Sequence, residues 1–168
     1  MGRLAKSDDP ALVTRLVDTY RSHYRGSLVT DASREALFPR AFEALGRLRQ
    51  DSSKQLGIAT GKGLTGVRRI LQLHGLTDYF VTLQTPDHNP SKPDPGMLLT
   101  AMAETSSSPK ETIMVGDTTF DLEMGRAAGV RTIGVTWGYH DPAELIPFAD
   151  AMIDSYDDLD GAIQRVLE

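Results

Sequence analysis

Three short stretches combine residue types suited to handling a phosphoryl group. Thr60-Gly61-Lys62 offers a hydroxyl, a lysine, and a glycine that lets backbone N–H groups approach an anion closely at a helix start. Ser91-Lys92-Pro93-Asp94-Pro95 presents one ammonium group, Lys92, on a long stem that suits a phosphate oxygen. The prolines around it limit how far its backbone can wander. Gly116-Asp117-Thr118-Thr119-Phe120-Asp121 sets two carboxylates across what reads as a strand-to-helix turn, so that both can face one ion. Magnesium takes one or two carboxylates and completes its shell with phosphate oxygens and water. Each stretch alone has a plainer reading. Thr-Gly-Lys is a common turn, a lysine in a proline-rich loop is usually solvated, and an aspartate after a strand often caps the next helix. The run from Gly57 to Lys62 also falls short of a P-loop, because the glycine spacing is one short and Gly63 stands where Ser or Thr is needed.

The elements around these stretches decide between the readings. Short apolar runs at Leu56–Thr60, Tyr79–Leu83, Thr112–Val115, Thr132–Thr136 and Ala151–Ile153 read as strands. Helical patterns near 64–74, 95–105, 121–128, 142–149 and 157–167 alternate with them, and Gly75 and Gly129 are placed to end two of the helices. Strands alternating with helices predict βαβ units, a parallel sheet and an α/β fold of the doubly wound, Rossmann-like kind. Ligands of such sheets bind beyond the carboxyl ends of the strands. All three stretches fall, in order, at that end. The part before residue 50 reads as helical. Asp9-Pro10 starts one helix, with Leu12, Leu16, Val17 and Tyr20 on its face, and a second runs from about Arg40 to Arg49.

Bulk properties narrow the function. The 168 residues suit an ordinary core, and 40% hydrophobic with 24% charged residues predicts a folded globule rather than a disordered chain. A formal net charge of −5 argues against a nucleic-acid partner. There is no cysteine, which rules out disulfides, thiolate catalysis and cysteine-ligated zinc within these residues. No run approaches the ~20 apolar residues of a membrane span, and the first residues lack the apolar core of a signal peptide. The expectation is a cytoplasmic protein without a membrane partner. His23, His74 and His88 show no metal-ligand spacing, Arg47, Arg49, Arg68 and Arg69 read as solvated helix faces, and Trp137 to His140 follow a strand at the ligand end.

In this order the stretches resemble motifs of the haloacid dehalogenase superfamily. Ile58-Ala59-Thr60-Gly61-Lys62 resembles its second motif, Ser91-Lys92-Pro93-Asp94-Pro95 its third, and Val115-Gly116-Asp117-Thr118-Thr119-Phe120-Asp121 its fourth. Ala127-Ala128-Gly129-Val130 and Trp137-Gly138-Tyr139 continue the pattern. The chain looks most like the phosphoglycolate-phosphatase-like group. The resemblance implies a Rossmann-like core over residues 36–168, preceded at 1–35 by part of a helical cap. It implies that Thr60, Gly61, Lys62 and Lys92 bind the phosphoryl group, with Thr60 and Lys92 taking part in catalysis. It also implies that Asp117 and Asp121 hold Mg2+, and that the substrate is a small phosphorylated metabolite such as phosphoglycolate. A dehalogenase, which in this family needs no metal, fits the paired acids less well.

The family's first motif, a strand followed by Asp-x-Asp-Gly-Thr, does not occur in the sequence. Asp8-Asp9 and Asp31 have neither the spacing nor a preceding apolar strand. In the family the first Asp of that motif attacks phosphorus and the second moves the proton, a covalent route through a carboxylate. The resemblance therefore implies a phosphatase that lacks its nucleophile as written, or a catalytically dead relative that binds a phosphorylated ligand or partner. The family strand order 3-2-1-4-5-6 puts the missing strand at the centre of the sheet. The expectations are that Met1 is not the natural start, or that the gene lost its 5′ end, with roughly 50 residues absent. A chain without that strand is expected to be unstable, to pair the two flanking strands with each other, or to borrow a strand.

Overall fold

The computed structural model describes Asp9 and residues 35–168. The chain divides into two compact units, residues 1–37 and 38–168, and the second carries all the strands and helices described below. The expected helix beginning at Asp9-Pro10, and the expected cap segment that contains it, lie outside the described residues apart from Asp9.

The second unit opens with α1 (Ala41–Gln50), then β1 (Gly57–Ala59), α2 (Leu64–Leu73), β2 (Thr82–Gln84) and α3 (Gly96–Thr105). It continues with β3 (Ile113–Gly116), α4 (Thr119–Ala127), β4 (Arg131–Val135), the short α5 (Pro142–Leu145), β5 (Ala151–Ile153) and α6 (Leu159–Leu167). Every strand expected from the apolar runs is present, and every ladder is parallel. The fold is α/β. No helix among the described residues is long and apolar enough to cross a membrane.

Helix α1 forms because Ala41, Ala44 and Leu48 recur at helical spacing and are buried together. Helix α2 does so with Val67 and Leu71. Gly75 and Gly129 end α2 and α4 at positive φ, where a side chain is strained. Leu76 N–H reaches back to Leu71 O and Val130 N–H to Gly125 O, satisfying carbonyls the helices leave open. Helix α3 ends the same way, but on Ser106 with φ 55, and Ser107 N–H bonds Met102 O.

Among the described residues five parallel strands make two sheets. One has the order β1-β2, the other β3-β4-β5. Strand β4 is paired on both edges, and Thr132, Ile133, Gly134 and Val135 are all buried, as expected of a strand covered on both faces. Among the described residues two clusters form the core. Leu48, Ile133, Val135, Ile153, Leu159, Ala162 and Val166 bring α1 and α6 onto one face, with Leu56 packed against them. Met97, Leu98, Met102, Met114, Met124, Ala128 and Val130 bring α3 and α4 onto the other, with Ala59 packed against them. Leu56 and Ala59 flank β1, so the two sheets share both clusters although no strand pairing joins them. Among the described residues β1 and β3 do not pair with each other, and each has one partner strand. Val115 of β3 is 36% exposed, unlike the interior of β4.

Candidate functional site

The residues singled out by type and spacing all follow strands of the parallel sheets, at their carboxyl ends. Thr60 follows β1, the Lys92 loop follows β2, and Asp117 follows β3. Residues 136–140, after β4, close over Asp117.

Lys92 and Asp121 are brought together. The Lys92 ammonium pairs with Asp121 Oδ1, and both side chains are largely buried, at 17% and 6% exposure. Asp121 Oδ2 accepts from Thr118 N–H at 3.1 Å and from Thr118 Oγ1 at 2.7 Å, while Thr118 Oγ1 takes the Asp121 N–H at 3.3 Å. This is a reciprocal capping box at the start of α4. Both oxygens of Asp121 therefore have partners within the chain. One ties it to its own helix and the other fixes the lysine.

Asp117 is held differently. Its Oδ2 accepts the Tyr139 N–H at 3.0 Å and its backbone oxygen accepts the His140 N–H at 3.2 Å. Its Oδ1 has no hydrogen-bond donor among the described residues. The approach of the 136–140 loop requires Gly138, because a Cβ there would lie 2.0 Å from Asp117 Cβ. His140 Nδ1 accepts the Thr119 N–H at 3.2 Å, so the imidazole helps close the first turn of α4. The Phe120 ring meets His140 edge-on at 5.7 Å. Tyr156 meets Trp137 at a tilt, ring centroids 4.7 Å apart, and burial, together with the Asp117 charge, pushes its phenol above the ordinary tyrosine value.

The donor set can be tested against magnesium. Asp117 presents a hard carboxylate oxygen without a hydrogen-bond donor among the described residues, which suits that ion. Among the described residues no cluster of three or more His, Asp or Glu side chains forms a cation cage. The Asp117 carboxylate suits an ion that takes few protein ligands and completes its shell with phosphate oxygens and water.

Thr60 lies on the other sheet. Its N–H donates to Gln84 O at 3.0 Å, and its Oγ1 accepts the Lys62 N–H at 3.2 Å in a tight polar turn. Asp87, which residue type and spacing do not single out, braces this turn. Its Oδ2 accepts the Leu64 N–H at 2.6 Å and the Thr85 hydroxyl at 3.1 Å, so it caps α2 from a different loop. No local pattern announces such a cap, since the residues are 23 apart in sequence. Sequence alone puts Tyr139 and His140 near the ligand end and no further; their bonds to Asp117 and the α4 turn come from the fold. Arg47 and Arg49, expected on a solvated helix face, are partly exposed and exposed respectively, and each also has a partner. Arg47 binds Asp160 and Tyr156 O, each at 3.0 Å, and Arg49 lies 4.5 Å over the Tyr79 ring.

The chain has relatives among known proteins. The family model described as haloacid dehalogenase-like hydrolase matches residues 3–135. The chain is 33% identical over 159 residues to the "Probable phosphatase IndB" of Dickeya dadantii strain 3937, covering 93% of this chain and 68% of that one. It is 32% identical over 125 residues to a phosphoglycolate phosphatase of Salmonella paratyphi A, covering 73% of this chain. There it spans about half of the relative's length, 49%. A crystal structure described as a predicted phosphatase from Clostridium acetobutylicum superposes with a TM-score of 0.82 at 23% identity, over 98% of this chain and 74% of that one, and so shares the fold.

Proposed function

Since the chain belongs to the haloacid dehalogenase-like hydrolases, we propose that it serves the magnesium-dependent hydrolysis of a small phosphomonoester, with phosphoglycolate as the first candidate. The observation that supports this most is the juxtaposition at the end of β3. A buried lysine is fixed by Asp121, while Asp117, four residues earlier, keeps one oxygen without a partner among the described residues.

The roles follow from chemistry. Lys92 brings positive charge to the non-bridging oxygens of a phosphoryl group, in a site where burial makes that charge count for more than it would in water. The Thr60 hydroxyl and the backbone of Gly61 and Lys62 hold another oxygen of the same group. Asp117 supplies the carboxylate for Mg2+. Asp121, expected from the motif to be a second ligand, also anchors Lys92 through one of its oxygens. Magnesium, when bound, neutralises phosphoryl charge and orients the group. The attacking carboxylate is not among the motifs in this sequence. We assign it to a strand entering between β1 and β3, the two strands that keep an unpaired edge among the described residues.

A second reading draws on that same observation. A chain with the phosphate-holding residues and no attacking aspartate binds a phosphorylated ligand without hydrolysing it. The test is release of inorganic phosphate from small phosphomonoesters, with intact mass measured on the same preparation from the natural source. Magnesium-dependent release that is lost in Asp117→Asn, with the fold retained by circular dichroism, supports the phosphatase. Phosphate binding without release supports the binding protein. Release that survives both chelation of magnesium and Asp117→Asn would falsify the site.

A further inference from the structure

Gln84 is 4% exposed, an unusual place for an amide side chain, and each of its hydrogen-bonding groups is engaged. Its Nε2 donates to Thr82 Oγ1 at 2.7 Å and to Glu104 Oε2 at 2.8 Å. Its Oε1 accepts from Asn89 Nδ2 at 2.9 Å. Turning the amide over would set its oxygen against the Glu104 carboxylate and its NH2 against another NH2, so only one orientation is stable. Asn89 is fixed in turn. Its Nδ2 also donates to Thr85 O at 3.4 Å, its Oδ1 accepts from Thr100 Oγ1 at 3.0 Å, and its N–H bonds Thr85 O at 3.2 Å. Three residues on from Asn89, along Pro90-Ser91, stands Lys92. The backbone oxygen of Gln84 meanwhile accepts the N–H of Thr60.

We propose that Gln84 is a positioning residue of the phosphate site. Its main chain holds the Thr60 turn and its side chain, through Asn89, holds the start of the Lys92 loop. One residue thus sets the separation between the hydroxyl and the ammonium group. This inference rests on the assignment of Thr60 and Lys92 to phosphate. The geometry is specific because the chain Glu104–Gln84–Asn89–Thr100 alternates donors and acceptors, so a displacement at one member leaves a buried group unpaired at the next. The two prolines between Asn89 and Asp94 leave the loop few ways to absorb such a displacement. A buried glutamine that merely filled the core would need no link to the loop.

The test is calorimetric titration of the protein with inorganic phosphate in the presence of magnesium, alongside the thermal midpoint. Gln84→Glu sets a second carboxylate against Glu104 and is expected to weaken phosphate binding about tenfold, the scale of one disrupted charge-assisted arrangement. Gln84→Glu combined with Glu104→Gln restores the donor–acceptor order, since the new amide at 104 donates to the new carboxylate at 84. It is expected to return affinity to within about twofold of wild type. If Gln84→Glu does not fold, Asn89→Ala removes the link to the loop together with the Thr85 and Thr100 bonds of that side chain, and is expected to weaken phosphate binding as well as lower the midpoint. Unchanged phosphate affinity in Asn89→Ala, or in a folded Gln84→Glu whose midpoint alone has dropped, overturns the positioning role and leaves the proposed site standing. A wild-type protein that binds no phosphate overturns the assignment of Thr60 and Lys92, and with it this inference.

Discussion

Asp121 illustrates why residue type and spacing reach a site before they reach the roles within it. An aspartate four residues after another at a strand-to-helix turn reads equally as a cap and as a metal ligand. The structure gives it a cap, through Thr118, and a cation, Lys92. Its burial makes the pairing consequential, because removing one member of a buried pair leaves the other charge uncompensated. Truncating Lys92 to alanine would therefore confound binding with stability. Lys92→Gln is the gentler probe, since it keeps a polar side chain of similar volume while removing the charge. Its affinity for inorganic phosphate is expected to fall by about tenfold or more, and its thermal midpoint to drop because the buried Asp121 carboxylate loses its counter-charge. Titration of both proteins with phosphate decides it, and equal affinities would remove Lys92 from the site. Arg47 and Arg49 carry the complementary lesson. A helix-face arginine in sequence says nothing of Asp160 or Tyr79, each remote in the chain and near only once α1 has packed.

At the scale of elements, the site is made by strand ends and the turns that follow them. The 136–140 loop is the least legible of these. Trp137-Gly138-Tyr139 could be placed after a strand, but not against Asp117. That contact depends on Gly138, where any Cβ would run into the Asp117 side chain. Gly138→Ala is expected to push the loop off Asp117, breaking the Tyr139 N–H bond to its carboxylate. The cost should be about 1–3 kcal/mol, the usual range for overpacking, with magnesium affinity reduced as well. Thermal denaturation and magnesium titration of the variant check both parts, and an unaltered midpoint would show that the loop yields without strain. Helix ends were partly legible. Gly75 and Gly129 stop α2 and α4 as glycines commonly do, whereas α3 stops on Ser106 in the same left-handed conformation, which the residue type does not signal.

For the molecule as a whole, the division into a β1-β2 sheet and a β3-β4-β5 sheet has an energetic consequence. The expected alternative in which the flanking strands close upon each other is not adopted by the described residues. Two helical layers hold the sheets side by side through Leu56 on one face and Ala59 on the other. Strand β4, paired on both edges, should be the most protected from hydrogen exchange, and β1 and β3 should exchange faster despite their place at the site. Exchange mapped by mass spectrometry on peptides over 57–60, 113–116 and 131–135 tests this. Equal protection of all three would mean that β1 and β3 have partners on their other edges in solution.

Alternation of apolar runs with helical patterns was enough to establish the α/β class and the parallel direction of the strands, because both depend on periodicities a single chain carries locally. The order of Thr60, Lys92, Asp117 and Asp121 at strand ends was enough to locate the candidate site, because parallel connections return every strand tip to one edge. Which carboxylate is free, which is bound to lysine, what caps α2, and how Gln84 reaches both the Thr60 turn and the Lys92 loop were decided only by the tertiary structure. Those contacts join residues about 20 or more positions apart in several cases, and a hydrogen bond at such separation is set by packing, which no local pattern of residue types records.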